Sequence, residues 1–185
     1  MNILLIGCGN IGLKRLNILI KLKKVKSIFL IENNKTRRSY LKKLYPQLKS
    51  YENYNSFIKK NTIIINLAFV CTNPNFSFKI IKNLLLDNIN IFTEKPPLNN
   101  FKNYKKLLYL ANNNKLLFKV GYNLKYEKVF LNIKKIIKKE KLKSINYIRA
   151  HYLYGTVKSN NNLVGSLMDV GIHLFYLSKI FLKTI

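Results

Sequence analysis

The sequence predicts an α/β fold built on a doubly wound parallel sheet. Short apolar segments alternate with segments of helical periodicity over residues 1–121, at the close spacing of successive βαβ units. The run that ends at Val70 is rich in β-branched residues, which is typical of a strand buried on both faces. Right-handed crossovers would place the carboxyl ends of the strands along one edge, where folds of this class bind ligands.

The individual elements follow from hydrophobic periodicity and from the residues that end each run. The expected strands are Asn2–Ile6, Ser27–Ile31, Ile63–Val70, Ile89–Thr93 and Leu116–Val120, and the expected helices are Asn10–Leu22, Lys35–Leu44, Ser56–Lys60, Asn75–Leu86 and Phe101–Ala111. After Gly121 the pattern changes to an amphipathic helix, an alternating strand of an antiparallel sheet, a polar loop and a final helix, at Tyr126–Lys139, Leu142–Tyr154, Ser159–Asn162 and Ser166–Phe181. We therefore expect a first domain over residues 1–121 and the start of an α+β substrate domain over residues 122–185.

Composition narrows the class of protein. The chain has 185 residues and is 48% apolar, which suffices for a packed core. Its longest strongly apolar stretch, residues 63–71, is too short to span a bilayer, and the N-terminus lacks the pattern of a signal peptide. The two cysteines, Cys8 and Cys71, cannot build a disulfide framework or a metal cluster, and we expect small buried thiols. The expectation is a cytoplasmic protein with no metal site and no membrane partner.

The formal charge of +27 raises nucleic-acid binding as a competing hypothesis, because a domain pI above about 9 is a recognised sign of it. The lysines are spread along the whole chain, however, and form no basic arm. They accompany an excess of Asn, Ile, Tyr and Phe, the pattern expected of an AT-rich genome. We therefore interpret most of the charge as solvated surface and expect only non-specific, salt-sensitive attraction to polyanions.

The stretch NILLIGCGNIG at residues 2–12 has the G-x-G-x-x-G spacing of a dinucleotide-phosphate turn. A predicted strand precedes it and a predicted helix follows it. Gly7 would allow the sharp turn, Gly9 would let the backbone approach a pyrophosphate, and Gly12 would let the helix pack closely on the sheet. The N–H groups and the positive dipole of the helix N-terminus would bind the phosphates.

An acidic residue ends the second predicted strand, as a dinucleotide site requires. Glu32 lies 20 residues after Gly12, where a carboxylate accepts hydrogen bonds from the adenosine ribose hydroxyls. A carboxylate at this point repels a 2′-phosphate, which favours NAD over NADP. Arg37 and Arg38 lie close enough in sequence to soften that preference, so NADP stays possible.

Motifs further along the chain indicate a family. "CTNPNFSF" (71–78) and "FTEKPPL" (92–98) each follow a predicted strand, and "VGYNLKYE" (120–127) and "GSLMDVGIHLFYL" (165–177) come later. In this order the set resembles the Gfo/Idh/MocA family of NAD(P)-dependent oxidoreductases, which includes glucose–fructose oxidoreductase and inositol dehydrogenases. The E-K-P tripeptide with a later D-x-G-x-H is the specific part, and the resemblance covers essentially the whole chain. It implies a Rossmann domain and hydride transfer between a sugar or polyol hydroxyl and the nicotinamide.

The resemblance also implies roles for single residues. Lys95 matches the E-K-P lysine, which contacts the nicotinamide ribose and the reacting hydroxyl. Asp169 and His173 match the second motif: His173 would be the general base, and Asp169 would hold the substrate or help to set the protonation of the pair. A histidine titrates near working pH, and residues four apart on a helix share a face, so the chemistry suits these roles. The cofactor-binding residues expected together are Gly7, Gly9, Asn10, Ile11, Gly12, Glu32, Thr72, Asn73, Glu94, Lys95 and Asn123.

The sequence departs from the family pattern in two places. Phe78 stands where the family commonly has a histidine. The chain also stops at Ile185, soon after the D-x-G-x-H helix, where family members continue into most of an antiparallel sheet. We therefore expect a truncated or split oxidoreductase that forms a homo-oligomer or pairs with a complementing subunit. A dinucleotide-binding module without turnover is the alternative, and a basic nucleic-acid-binding protein is the most distant one.

Overall fold

The computed structural model describes residues 1–141, 145, 147–151 and 167–182, and the chain divides into two compact units, residues 1–120 and 121–185. The elements of the first unit are β1 (Asn2–Ile6), α1 (Asn10–Leu19), β2 (Ser27–Ile31), α2 (Lys35–Leu44), β3 (Lys49–Tyr51), α3 (Tyr54–Ile58), β4 (Leu67–Val70), α4 (Pro74–Leu86), β5 (Asn90–Thr93), α5 (Phe101–Asn113) and β6 (Phe118–Val120). Those of the second unit are a 3₁₀ turn (Asn123–Tyr126), α6 (Lys128–Lys139), a π-helical turn (Leu167–Gly171) and α7 (Ile172–Leu182).

The first unit is a six-stranded sheet in the order β3-β2-β1-β4-β5-β6, with every neighbouring pair parallel. Alternate residues of β1 enter the cores on opposite faces of this sheet. Leu5 packs with Leu16 of α1 and Leu41 of α2, whereas Leu4 packs in the core that holds residues of α4 and α5. Helices thus cover both faces, and the predicted doubly wound α/β class is confirmed.

The strand register brings four segments that hold candidate site residues to one edge of the sheet. Ile6 at the end of β1 pairs with both Ile31 and Val70, and Val70 in turn pairs with Thr93. The residues that follow these strand ends form the next row, namely Gly7, Glu32, Cys71 and Glu94. The order in which successive strands are added to the sheet reverses between β1 and β4, so this edge carries the crevice that open α/β sheets use for ligands.

Several bounds in the first unit are shifted by one or two residues from the sequence prediction, and three differences are larger. The first helix ends at Leu19 rather than Leu22. The strand expected over 63–70 begins only at Leu67, and Ile64 before it is 79% exposed, because strand pairing with β1 rather than apolar character sets the limits. Strand β3 was not predicted at all. Its sequence Lys-Ser-Tyr has no apolar run, and its strand geometry comes from pairing with β2 at the sheet edge.

In the second unit, α6 and α7 contact each other through the rings of Phe130 and Phe181, whose centroids are 6.2 Å apart. The predicted final helix is present, but its first turn is π-helical rather than α-helical. The antiparallel strand expected over 142–154 is not found at its described residues, 145 and 147–151. The rest of that range and the loop expected over 159–162 lie outside the described residues. No helix in the described ranges is long and apolar enough to cross a bilayer.

Candidate cofactor-binding site

The three glycines after β1 meet different surroundings. Gly7 has a φ of +80°, and a Cβ atom there would lie 3.0 Å from the carbonyl oxygen of Cys71. A Cβ on Gly12 would lie 2.1 Å from the carbonyl oxygen of Gly7. A Cβ on Gly9, in contrast, would have no atom within 4 Å. Gly7 and Gly12 are therefore required by the packing of the turn, whereas Gly9 faces open space.

The N-terminus of α1 lies at this open side of the turn. Gly9 is the N-cap residue and provides no side chain to bind the first-turn amides, and the first turn, which holds Asn10 and Ile11, contains no acidic residue. Amide N–H groups at a helix N-terminus that no side chain caps bind anions, because they carry partial positive charge and the helix dipole is positive at this end. The residues present thus fit the pyrophosphate of a dinucleotide.

Glu32 joins the glycine turn to the loop after β2. The side chain is buried, and its Oε2 accepts a hydrogen bond from the backbone N–H of Cys8 at 2.8 Å. Its Oε1 accepts one from the N–H of Asn34 at 3.0 Å. Each carboxylate oxygen has a second lone pair, so these contacts orient the group and leave acceptor capacity for ribose hydroxyls.

Two arginines of α2 surround the same loop. Arg37 donates from Nε to the carbonyl oxygen of Cys8 at 2.9 Å, and Arg38 donates from Nη1 to the carbonyl oxygens of Glu32 at 2.6 Å and Asn33 at 2.8 Å. The Nη2 atom of Arg37 is buried and has no hydrogen-bond partner among the described residues. Two positive charges therefore lie on the backbone of the segments that hold the carboxylate, as the sequence position of the two arginines indicates.

A cavity of about 420 Å³ opens between the carboxyl ends of β1, β2 and β4. Its volume falls within the range of small-molecule and cofactor sites. Five of the residues expected to bind cofactor line it, namely Gly7, Gly9, Glu32, Thr72 and Asn73, together with the apolar surfaces of Tyr54, Phe76 and Ile80. The lining thus combines polar groups, which suit a ribose, with aromatic and aliphatic groups, which suit an adenine.

Thr72 and Asn73 are held in place by the start of α4. The hydroxyls of Thr72 and Ser77 are 3.0 Å apart, and the carbonyl oxygen of Asn73 accepts a hydrogen bond from the Ser77 hydroxyl at 3.1 Å. The Asn73 side chain accepts a bond from the N–H of Asn75 and so caps the helix. The side chains of both site residues are therefore fixed by local contacts, and both residues line the cavity.

The two cysteines lie beside the glycine turn but are poor nucleophiles. Burial raises the pKa of Cys8 to about 11 and that of Cys71 to about 12. At neutral pH both thiols stay protonated, and only the thiolate reacts readily. They act as small apolar groups, which agrees with the interpretation drawn from the sequence.

The E-K-P segment follows β5. The carboxylate of Glu94 accepts a hydrogen bond from Nε of Arg15 on α1, with the two atoms 2.6 Å apart. Lys95 is half-buried, and the Pro96, Pro97 and Leu98 side chains after it are buried. The segment is thus anchored on both sides of the lysine.

The remaining predicted residues belong to the second unit. Asn123 begins the 3₁₀ turn, and Asp169 lies in the π-helical turn, with its side chain outside the described part of the chain. His173 is in the first turn of α7 and is buried at 8% exposure. Because the π-helical turn precedes α7, Asp169 and His173 do not belong to one continuous α-helix as expected.

Aromatic rings surround His173 within the second unit. The ring of Tyr122 meets its imidazole edge-on with centroids 6.4 Å apart, and also stacks on Tyr176 at 4.2 Å. The Tyr176 hydroxyl accepts a hydrogen bond from Nζ of Lys125 at 3.2 Å, and this bond raises the pKa of Lys125. A histidine, a cationic lysine and two phenols thus occupy one described cluster.

Comparison with known proteins agrees with this geometry. The sequence model of the Gfo/Idh/MocA family, described as an oxidoreductase family with an NAD-binding Rossmann fold, matches residues 1–122. The chain belongs to this family. An oxidoreductase of Schizosaccharomyces pombe is 27% identical to this family member over 115 residues, which are 62% of this chain and 31% of that protein.

Solved structures extend the agreement in fold. An oxidoreductase from Klebsiella pneumoniae superposes on this Gfo/Idh/MocA protein with a TM-score of 0.80 at 18% identity, covering 96% of this chain and 49% of that one. The myo-inositol 2-dehydrogenase of Lactobacillus plantarum superposes with a TM-score of 0.70 at 20% identity, covering 78% and 43%. This chain therefore spans about half of the structures that it resembles, and less of the yeast protein.

Three contributors to the site of this Gfo/Idh/MocA protein were missed by the sequence prediction. Arg15 pairs with Glu94, Asn34 donates its N–H to Glu32, and Tyr54 lines the cavity. Asn34 carries the signal of a helix N-cap before α2, which sequence alone can reveal. Arg15 and Tyr54 give no comparable signal, because their roles depend on contacts between distant elements.

Proposed function

We propose that the chain is a cytoplasmic NAD(P)-dependent oxidoreductase that transfers hydride between a sugar or polyol hydroxyl and the nicotinamide cofactor. The observation that carries the proposal is the cavity at the carboxyl edge, where Gly9 faces open space and the carboxylate of Glu32 is oriented by two backbone amides. Family membership supports oxidoreductase chemistry. The fold shared with a myo-inositol 2-dehydrogenase supports a polyhydroxylated substrate.

We infer that NAD is the preferred cofactor and that NADP also binds. The buried carboxylate of Glu32 disfavours a second anion at the 2′ position of the ribose. Opposing this, the guanidinium groups of Arg37 and Arg38 lie on the carbonyl oxygens around that carboxylate. The buried Nη2 of Arg37, which lacks an acceptor in the described residues, is a donor that a 2′-phosphate would satisfy.

The proposed chemistry assigns a task to each of the three side chains Lys95, Asp169 and His173. The bound cofactor supplies the hydride acceptor or donor. In the oxidative direction, His173 takes the hydroxyl proton, since an imidazole is neutral and basic near pH 7. Lys95 contacts the hydroxyl oxygen and the nicotinamide ribose, and Asp169 holds the substrate or helps to set the protonation of its pair with His173. The remaining proposed cofactor contacts are the backbone and side chains of Asn10, Ile11, Glu94 and Asn123.

Two measurements test this function in sequence. NADH fluorescence titration of the purified 185-residue chain should give saturable binding, and NAD reduction should depend on an added polyol such as myo-inositol. Lys95→Met and His173→Gln should abolish turnover while NADH binding changes little for His173→Gln. Lys102→Met, on the exposed surface of α5, is the matched lysine control. Absence of saturable NADH binding would refute the proposal.

A second candidate is a dinucleotide-binding module without turnover that acts with a complementing subunit or in a homo-oligomer. It is favoured by one observation, that the cavity which fits a dinucleotide is lined by residues of the first unit alone. The same measurements distinguish the two candidate functions. A module should bind NADH as tightly as an enzyme does but give no polyol-dependent reduction of NAD at any protein concentration. Sedimentation velocity of the same sample, with and without NADH, reports the oligomeric state.

A further inference from the structure

Glu94 is fixed by contacts from two other elements of the first unit. Its backbone N–H donates to the carbonyl oxygen of Val70 at 3.0 Å, which continues the β4–β5 ladder beyond the strand end. Its carboxylate is bound by Arg15 at 2.6 Å. The guanidinium carbon of Arg15 also lies 5.3 Å from the ring centre of Phe92, so that β5 supports both partners of the ion pair. The two side chains are only 23% and 17% exposed, which reduces screening by water.

The pair lies next to the glycine turn. Burial is the main cause of the raised pKa of Cys71, the charge of Glu94 raises it further and the charge of Arg15 lowers it, so both charges are close to this thiol. The carbonyl oxygen of Cys71 in turn is the atom nearest to a Cβ built on Gly7. Without Arg15, the carboxylate of Glu94 would be an uncompensated negative charge beside the turn that faces a pyrophosphate.

We propose that Arg15 is a positioning residue for the cofactor site, which it serves by neutralising Glu94 and holding the Glu94–Lys95 segment against α1. The inference rests on the proposed function, since it assumes a dinucleotide at the glycine turn. The inference predicts that the effects of Arg15 and Glu94 on cofactor affinity depend on each other. Removing only the arginine leaves a partly buried carboxylate unpaired, whereas removing both charges does not.

A double-mutant cycle tests this coupling by NADH fluorescence titration at low and high salt. Arg15→Gln should weaken NADH binding roughly tenfold at low salt, a loss on the scale of one lost charge pair, and less at high salt. Arg15→Lys should keep most of the affinity because it restores the charge. The double variant Arg15→Gln/Glu94→Gln should recover part of the loss. Lys14→Gln, which removes a positive charge from the exposed side of the same helix, is the matched control and should bind like the wild type.

The possible results distinguish the role of Arg15 from the proposed function. Equal NADH affinity of Arg15→Gln and the wild type overturns the inference and leaves the proposed function standing. A double variant that binds no better than Arg15→Gln overturns the neutralising role. A wild-type chain that does not bind NADH overturns both the proposed function and the inference. Thermal unfolding of every variant shows whether the fold is kept, and the double variant and Arg15→Lys carry the test if Arg15→Gln is unstable.

Discussion

Gly9→Ala and Gly12→Ala are a matched pair of substitutions that separate folding from ligand binding. Each adds one Cβ atom to the same turn. On Gly12 that atom would lie 2.1 Å from the carbonyl oxygen of Gly7 and 3.5 Å from the Cβ of Cys71, whereas on Gly9 it would have no neighbour within 4 Å. Gly12→Ala should therefore disturb the fold, whereas Gly9→Ala should disturb only a ligand that approaches the turn.

The size of the two effects follows from the geometry. The start of α1 would have to move until the Gly12 contact lengthened from 2.1 to at least 3.4 Å, the lower limit of ordinary contact. Overpacking of this kind costs about 1–3 kcal/mol in the free energy of unfolding. For a chain of this size the melting temperature should fall by roughly 3–9 °C. Gly9 has φ −67° and ψ −159°, which alanine adopts freely, so its substitution should change the melting temperature by less than about 2 °C.

The binding measurement gives the opposite ranking. Gly9→Ala should lower NADH affinity at least about tenfold, because the new methyl group fills the space in which the pyrophosphate approaches the backbone. Circular dichroism melting and NADH fluorescence titration on the wild type and both variants provide the comparison. Normal stability of Gly12→Ala would refute the packing argument. Normal NADH affinity of a stable Gly9→Ala would show that no phosphate lies over this turn.

Three further predictions concern the surroundings of the turn. Glu32→Gln leaves one backbone N–H without its acceptor, so the free energy of unfolding measured in urea should fall by about 1–2 kcal/mol. The ratio of NADPH to NADH affinity should rise in the same variant. Glu52→Gln, which changes an exposed side chain of the same cavity, is the control and should keep the wild-type stability. Alkylation of Cys8 and Cys71 by iodoacetamide at pH 8 should be slow in the folded chain and fast in urea. The rate in the folded chain should keep rising above pH 9, since the pKa values of the two thiols are raised to about 11 and 12. Equal rates in the folded and unfolded chain at pH 8 would contradict the burial of these thiols. Asn34→Ala removes the cap that binds the N–H of Arg37 and should cost about 1 kcal/mol in urea unfolding, with no matching loss in Asn33→Ala.

Local spacing made the core of the site predictable. The glycines and the acidic residue after β2 lie in segments where a strand end determines what comes next, so their positions can be read without knowing the remainder of the fold. Gly7, Gly9 and Glu32 indeed line one cavity. The parallel, doubly wound class of the sheet was predictable for a related reason, because alternating strands and helices allow few arrangements.

Contacts between distant elements could not be predicted. Arg15 and Glu94 are 79 positions apart, and helical periodicity identifies Arg15 only as a surface residue of α1. The acceptor role of Glu32 toward the N–H of Cys8 likewise needs the β1–β2 pairing. Strand β3 forms through pairing alone, since its three residues have little strand character of their own. The roles proposed for Lys95, Asp169 and His173 stay predictions, which the turnover experiments address.

The central position of β1 has a consequence for synthesis of the chain. Of the six strands of this sheet, β1 leaves the ribosome first, and its Ile3 pairs with Leu67 of β4 on one side and with Ile28 of β2 on the other. At about 5–20 residues per second, translation of the intervening segment leaves one edge of β1 unpaired for roughly 3–13 s. That edge belongs to an apolar strand, Asn-Ile-Leu-Leu-Ile, and an open apolar edge recruits other strands. The nascent chain is therefore most prone to aggregate before β4 emerges, and slower translation of residues 32–66 prolongs that exposure.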